Sequence, residues 1–377
     1  MKFCKSVCIE DPCLPRAEHE ARNYLVACYA VHLILGNTIK SIRVKHATLM
    51  KYVNAAQKFF TDRRLPDPTA GVTDDLVTPL LNAVKSYEKQ PNRKEMIYDN
   101  MLAHILKICR LSPPNSLDSA LLDWIILGRF TGARLSEWAQ EQSKTIKMTT
   151  PNLAHELPEP KAFIFDDFEF FDSSSQRIYD LSPKSTSLVD YVRIRWRFQK
   201  NKENGQTIPF KRDYTRPDVC PVLAALRISR RAITLNVPPN TPIAVFSFSS
   251  VDSAFRHITA THIVKFLRRS AQAAFNLRPD DKWLNSWTSH SIRVTAANVL
   301  HRAGMSDSYI QTRLRWKSNS FLMYLRNTFY SADQHTKALD ISNRNLPPLQ
   351  TADGLRLRPL ERHEQIISQQ KLSAPAA

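Results

Sequence analysis

The most restrictive feature of the chain is an apolar segment from Ala120 to Leu127 that a single charged residue, Asp123, interrupts. A helix that is apolar on nearly all sides is stable only when other elements cover it, so this pattern predicts a buried helix over 117–130. The helix is expected to end at Thr131-Gly132, because glycine suits the left-handed conformation that commonly terminates helices. Arg134 then follows a capped turn beside the core, which disfavours a purely solvated role for it.

Helical spacing of apolar residues recurs along most of the chain, whereas alternation of apolar and polar residues is confined to one region. One helix is predicted to begin with Thr48 as its N-cap residue. Further helices are predicted at 16–36, 74–88, 96–110, 221–233, 259–275, 291–303, 306–314 and 318–329. Strands are predicted at Ala162 to Phe171, at Tyr191 to Lys200 and at Thr207 to Phe210. Glu203-Asn204-Gly205 would form the turn between the last two strands. The predicted fold class is α+β and mostly helical, with a small antiparallel sheet.

Composition suggests where this chain divides. The polar stretch at 88–94 contains a proline and predicts a linker between a helical module at 1–90 and a larger unit at 91–345. Residues 346–377 have several prolines and little periodicity, and they predict a flexible or trans-docking tail.

Charge and residue usage narrow the function classes. The formal net charge is +18, which favours a polyanionic partner such as double-stranded DNA. Glycine occurs only 7 times and forms no phosphate-binding G-x-G-x-x-G or Walker A string. The 6 cysteines form no C-x-x-C pair, and no apolar run has the length of a signal peptide or membrane span. These features predict an intracellular protein, nuclear if the host is eukaryotic, with no metal, no cofactor and no membrane partner.

Three short strings and one late tyrosine carry the chemistry. They are Thr131-Gly132-Ala133-Arg134-Leu135-Ser136-Glu137, His290-Ser291-Ile292-Arg293, Arg315-Trp316 and Tyr324. Two guanidinium groups can hold a phosphate bidentately and neutralise the charge that develops on it. A tyrosine hydroxyl can form a covalent ester with phosphorus. Asp166-Asp167 falls in a strand pattern and is expected to be a solvated edge, so no carboxylate cluster suggests a two-metal nuclease.

In this order the strings resemble the boxes of the tyrosine recombinases, the superfamily that includes lambda integrase and Cre. The resemblance covers about residues 96–330, with a weaker likeness in the N-terminal module. It implies that residues 1–90 form a helical core-binding DNA domain and that 91–345 form the catalytic domain. Many bacterial members have histidine where Val294 stands and Gly-His where Arg315-Trp316 stands, although Cre also uses tryptophan. The interval from Trp316 to Tyr324 is one residue shorter than in Cre or lambda integrase, and it is similar to eukaryotic mobile-element recombinases of the Crypton type.

The resemblance implies a role for each residue. Arg134 and Arg293 would clamp the non-bridging oxygens, and His290 would reach the same phosphate or accept the tyrosine proton. Trp316 would donate its indole N–H to the phosphate or serve as a core aromatic, and both roles stay open. Tyr324 would be the nucleophile, with Tyr330 as a rival that lies six residues later.

Two supporting roles remain. A lysine from the β-hairpin would protonate the leaving 5′ oxygen; Lys200 matches the strand alternation better, and Lys202 stays open. Glu137 is expected to orient basic neighbours.

The implied activity is site-specific DNA recombination or integration through a 3′-phosphotyrosine, without metal or ATP. The enzyme would act as a dimer or tetramer on DNA. One alternative is a type IB-like topoisomerase, which relaxes supercoils without pairing two sites. The other is a recombinase-derived DNA-binding protein without activity.

Overall fold

The computed structural model describes residues 2–11, 13–14, 19–36, 43–88, 93–139, 160–199, 203–248, 254–317, 321–322, 325 and 336–337. The chain divides into two compact units, Met1–Asn92 and Arg93–Ala377. This boundary falls inside the stretch at 88–94 in which a linker is predicted. The predicted tail at 346–377 lies outside the described residues, as does most of the helix predicted at 318–329. Within the described ranges, no helix has both the length and the apolar character needed to cross a membrane.

The first unit is a small helical module with its own core. Its helices are α1 (Lys2–Ser6), α2 (His19–Ile34), α3 (His46–Thr61) and α4 (Val77–Tyr87). Leu33 on α2, Leu49 on α3 and Leu81 on α4 are buried in one cluster. The helices predicted at 16–36 and 74–88 are therefore confirmed. The cap predicted at Thr48 is wrong, because α3 begins at His46 and its N-cap residue is Lys45.

The second unit contains the remaining helices and all of the strands in the described part of the chain. In chain order these are α5 (Asp99–Cys109), α6 (Leu117–Thr131), α7 (Leu135–Trp138), β1 (Phe168–Phe171), β2 (Arg177–Ile178), α8 (Pro183–Thr186), β3 (Tyr191–Trp196), β4 (Gln206–Lys211), α9 (Pro221–Thr234), β5 (Val245–Phe246), β6 (Arg256–His257), α10 (Ala260–Phe275), α11 (Ser291–Arg302) and α12 (Asp307–Leu314). The strands form a four-stranded antiparallel sheet in the order β2-β1-β3-β4 and a separate β5-β6 pair. The predicted α+β, mostly helical fold class is confirmed.

Helix α6 is the centre of the core, as its apolar run predicts. Ser116 caps its first turn by accepting a hydrogen bond from Ser119 N at 3.3 Å. Its one internal carboxylate, Asp123, is buried and ion-paired at 2.5 Å with both Arg227 and Arg231 from α9. A buried charge is tolerated when it is paired and hydrogen-bonded in this way. Gly132 ends the helix in the left-handed conformation, at φ 55°.

The sheet is shorter than the sequence pattern predicts. The strand predicted from Ala162 covers only β1, because Phe165–Asp167 forms a 3₁₀ turn ahead of it. The strand predicted to reach Lys200 ends at Trp196, whereas the return strand near Thr207 to Phe210 is confirmed as β4. Strands β2, β5 and β6 were not predicted, because two residues are too few to display alternation.

Candidate active site

Close packing brings the turn after α6 against α11 and the end of α12. A Cβ atom on Gly132 would lie 2.9 Å from Leu314 Cδ2, and one on Gly128 would collide with Ile292 Cγ2. The positive φ of Gly132 also favours glycine over any residue with a side chain. Two glycines therefore let three distant parts of the sequence meet at the end of α6, just before Arg134.

Arg293 connects these three segments. It lies in the first turn of α11 and is 3% exposed. Its Nη1 donates to the carbonyl oxygen of Gly132, and its Nη2 donates to the carbonyl oxygen of Leu314 at 3.2 Å. The guanidinium carbon lies 4.1 Å from the centre of the Trp316 ring. Main-chain acceptors and a stacked indole thus hold the plane of this guanidinium in place.

Arg134 is the more open of the two predicted phosphate arginines, with 26% of its side chain exposed. Its Nη1 donates to Glu137 Oε1 at 2.9 Å, and its main-chain N–H donates to Glu137 Oε2 at 2.9 Å. Glu137 itself is 5% exposed. The carboxylate holds both the backbone and the head group of Arg134, which is the kind of orienting contact proposed for Glu137.

Arg315 completes this cluster, and sequence reasoning assigned it no role. Its Nη1 donates to the carbonyl oxygen of Thr131 at 3.1 Å, and its Nη2 donates to Glu137 Oε2 at 3.0 Å. Its guanidinium carbon lies 3.9 Å from the centre of the Trp196 ring on β3. Burial lowers the pKa of Arg315 to about 10, although the charge of Glu137 opposes this effect. Its place directly before Trp316 was a signal that could have identified it.

His290 lies in the field of several cations. Burial lowers the pKa of its imidazole, and the charges of Arg293, Arg134 and Lys94 lower it further. The ordinary histidine pKa is near 6.5, so His290 is neutral at pH 7. Lys94 donates from Nζ to the carbonyl oxygen of Asn285 at 3.1 Å, and it was expected to belong to the linker. It was missed because nothing in its local sequence separates it from a solvated lysine.

Trp316 is partly buried, which fits a packing role. It packs against a buried cluster that includes Leu314 and Phe321, with Leu300 and Leu325 also at its margin. Its main-chain N–H donates to the carbonyl oxygen of Gln311 at 2.8 Å. The core role expected of Trp316 is therefore present, and its role as a donor to phosphate stays a prediction.

The three remaining residues, Tyr324, Lys200 and Lys202, lie outside the described residues, as does the rival Tyr330. The neighbours of Tyr324 at Phe321 and Leu325 pack with the cluster beneath Trp316.

The described residues that follow the two lysines, from Glu203 to Pro209, lie beside the end of α12 and the segment after it. Lys317 Nζ is 3.7 Å from Glu203 Oε1, and Arg313 Nη2 donates to the carbonyl oxygen of Pro209 at 2.7 Å. Beyond Trp196 the alternation fails, because Gln199 is buried whereas Phe198 is partly exposed. The alternation argument that favoured Lys200 over Lys202 is therefore wrong, and both lysines stay candidates.

Asp167 is not the solvated edge that its pattern predicts. Its carboxylate is 1% exposed and forms ion pairs with Arg197 at 2.8 Å and Arg195 at 3.6 Å. Burial raises the pKa of Asp167, against the lowering effect of Arg197. In the described ranges, no group of three or more histidine, cysteine, aspartate or glutamate residues is arranged to hold a metal ion.

Comparisons with known proteins give matches at the level of structure. No family model matches the sequence, and no curated protein does so either. A crystal structure of a lambda integrase(75-356) dimer bound to a COC′ core site has a TM-score of 0.39 and 11% identity, covering 87% of this chain and 94% of that chain.

Two structures of the Tn1549 transposon integrase (aa 82-397) in complex with circular intermediate DNA, one of them a variant with a single arginine-to-lysine substitution, are similar at the same level. The variant has a TM-score of 0.39 and 14% identity, covering 84% of this chain and 85% of that chain. The other structure has a TM-score of 0.39 and 13% identity, covering 83% of this chain and 84% of that chain. These integrases are tyrosine recombinases, the family that the sequence motifs resemble.

Proposed function

We propose that the protein is a site-specific DNA recombinase or integrase that cleaves and rejoins strands through a 3′-phosphotyrosine. One observation carries the proposal: Arg293 donates to the carbonyl oxygen of Gly132 in the turn that leads to Arg134, which brings together two arginines distant in sequence. The charges of both arginines and of Lys94 add to the effect of burial in lowering the pKa of His290. Cations converge there on a neutral base. That combination suits a phosphodiester whose non-bridging oxygens gain negative charge during attack by an oxygen nucleophile.

Each side chain has a distinct task in this mechanism. The Tyr324 oxygen attacks phosphorus and loses its proton, which the neutral His290 imidazole is suited to accept. Arg134 binds the phosphate oxygens from its more exposed position. Arg293 adds its charge from a buried site, where electrostatic interactions are stronger than in water. The bond from phosphorus to the 5′ oxygen breaks, and Lys200 or Lys202 supplies the proton that the leaving oxygen takes.

Rejoining follows from the same chemistry in reverse. A free 5′ hydroxyl attacks the phosphotyrosine, releases Tyr324 and restores the phosphodiester. The ester conserves the energy of the cleaved bond, so the reaction requires no ATP. Guanidinium groups supply the positive charge at phosphorus, so we expect cleavage to proceed in EDTA.

Duplex DNA is the proposed partner. The net charge of +18 matches a polyanion, and recombination between two sites requires two or more copies of the chain on DNA. An intracellular location, nuclear in a eukaryotic host, is part of the proposal because DNA is the substrate.

The direct test is covalent trapping on a pool of nicked duplexes with randomised sequence, labelled on the cleaved strand, in EDTA. A nick close to the cleavage site lets the short product diffuse away, so the protein remains attached to the DNA. The wild-type protein should give a DNA adduct that survives denaturing electrophoresis, and sequencing the recovered DNA identifies the target.

Two tyrosine variants assign the nucleophile. Tyr324→Phe should give no adduct while retaining DNA affinity, because it loses a single hydroxyl group. Tyr330→Phe is the matched control and should still form the adduct. An adduct in Tyr324→Phe that is lost in Tyr330→Phe would make the nucleophile assignment wrong. A requirement for magnesium in the wild-type reaction would contradict the mechanism itself.

A further inference from the structure

Arg315 occupies a position that is unfavourable for an arginine. It follows α12 with φ 57° and ψ 52°, a left-handed conformation in which glycine or asparagine is the usual residue. Its side chain is 0% exposed, so a cation has been removed from water. Its Nε is buried without a hydrogen-bond partner in the described part of the chain. Each of these features costs free energy, so a role in ending the helix does not explain the choice of arginine.

Packing explains part of the choice but not the charge. The guanidinium lies 3.9 Å from the centre of the Trp196 ring, and a neutral side chain of similar length would fill the same space. What a neutral side chain would lose is the ion pair to Glu137 Oε2 at 3.0 Å. The charge of Arg315 therefore has to be understood through this carboxylate.

Glu137 is shared between two arginines. Arg134 donates to its Oε1 at 2.9 Å, and Arg315 donates to its Oε2 at 3.0 Å. The charge of Arg134 also lowers the pKa of Arg315, so the two cations influence each other across the carboxylate. With both arginines present, the trio carries a net charge of about +1. With Arg315 neutral, Arg134 and Glu137 would cancel, and Arg134 would serve mainly as the counter-ion of Glu137.

We infer that Arg315 is a positioning residue that neutralises Glu137 and thereby leaves the charge of Arg134 available to a phosphate group. Glu137 can then hold Arg134 in place by hydrogen bonds without cancelling its attraction for an anion. Arg315 does not touch the phosphate, because its side chain is fully buried. The inference rests on the proposed function in one respect, which is that the ligand of Arg134 is a phosphate.

The test is a charge rescue in the full-length protein, with inorganic phosphate as the probe and calorimetric titration as the measurement. Arg134→Gln should remove the binding signal, which assigns it to this site. Arg315→Gln should weaken phosphate affinity by on the order of tenfold, because a unit charge about 10 Å from an anion has about that effect at an effective dielectric near 20. The double variant Arg315→Gln/Glu137→Gln should return to within about threefold of wild type, since the negative charge has been removed too.

Arg193→Gln is the matched control for a lost arginine charge. Arg193 pairs with Glu169 at 2.7 Å on the exposed sheet, and its loss should leave phosphate affinity unchanged. A packing role for Arg315 predicts the opposite pattern in the rescue, because the double variant would be as weak as Arg315→Gln or weaker. That result, or a wild-type protein without an Arg134-dependent phosphate site, overturns the inference.

A second variant and an independent readout keep the experiment decisive. If Arg315→Gln does not fold, Arg315→Lys replaces it: wild-type phosphate affinity in a folded Lys variant supports the charge role, and lost affinity contradicts it. Failure of both variants to fold would assign Arg315 to stability and overturn the inference. Phosphate binding does not involve Tyr324, so the rescue can succeed even if trapping shows that the proposed recombinase chemistry is wrong.

Discussion

The candidate site and the exposed face of the sheet both gather arginines, but they direct them at different partners. On the sheet, Arg177 and Arg193 each lie 2.7 Å from Glu169, and the arginines lower the pKa of that carboxyl. In the site, Arg134 also pairs with a carboxylate, that of Glu137, at 2.9 Å. The pKa of His290 is lowered there by burial and by the charges of Arg293 and Arg134. Both regions therefore contain a carboxylate shared by two arginines, but only in the site do the cations also surround a buried imidazole that stays neutral.

This difference separates structural arginines from candidate phosphate ligands better than the sequence pattern does. Arg193, Arg195 and Arg197 alternate with apolar residues along β3 and just after it, and this pattern resembles a basic surface for DNA. Arg197 is in fact committed to the buried Asp167, to which it donates at 2.8 Å. An arginine whose charge lowers the pKa of a nearby base is therefore a better indicator of an anion-binding site than an arginine that alternates with apolar residues in the sequence.

Arginine-to-lysine substitutions, which keep the charge, should give the largest difference in cleavage rate between the site and the sheet. Arg134→Lys and Arg293→Lys should each reduce single-turnover cleavage of the recovered target DNA by on the order of a hundredfold or more, because a point charge cannot replace a planar fork at the transition state. Arg193→Lys should cleave at the wild-type rate. Equal losses in all three variants would remove the distinction between site and sheet, and wild-type rates in all three would remove both arginines from the site.

Substitutions of arginines in and beside the sheet should have their largest effect on the free energy of unfolding. Arg197→Met leaves the buried Asp167 with a weakened set of partners, and breaking a buried ion pair costs about 3–5 kcal/mol of unfolding free energy. Arg193→Met removes an exposed pair and should cost at most about 1 kcal/mol. Urea denaturation followed by circular dichroism measures both. A loss below about 1 kcal/mol for Arg197→Met would show that Asp167 does not depend on this arginine.

The hairpin turn extends the comparison to its two lysines. Loss of the general acid should slow cleavage of a normal 5′-oxygen leaving group by on the order of a hundredfold, and replacing that oxygen by sulfur should restore the rate, because a thiolate leaves without a proton. Lys200→Ala and Lys202→Ala are therefore assayed on both substrates. Rescue in one variant assigns the acid to that lysine. Rescue in neither would mean that another group protonates the leaving oxygen.

Long periodic segments were predictable, and residues that depend on tertiary packing were not. The apolar run of α6 and the glycine after it are visible in the sequence, and they place Arg134 correctly beside the core. Lys94 acts on a residue far away in the chain, and no local pattern marks it. The partner of Arg315, Glu137, is also far away in the chain, and the place of Arg315 directly before Trp316 is the local signal for it. The end of β3 was misplaced because alternation in residue type continues to Phe198 after the strand has ended at Trp196.

The smallest expected effect concerns the response of stability to pH. The folded-state pKa of His290 lies below its unfolded value near 6.5, so the unfolded state binds its proton first as the pH falls. Stability from this group is present above about pH 6.5 and is lost as the pH drops toward the folded pKa.

His290→Asn should therefore lose less stability than wild type between about pH 7 and pH 5, and the difference between the two urea-denaturation series isolates this residue. The subtraction is needed because burial also lowers the pKa of His257 and His262, which both proteins retain. Arg193→Met is the sheet control and should leave the slope unchanged, since Arg193 pairs with Glu169 rather than with a histidine. A slope that is the same in His290→Asn and wild type would mean that burial and the cations of the site do not lower the pKa of this imidazole, and the contrast with the sheet would fail.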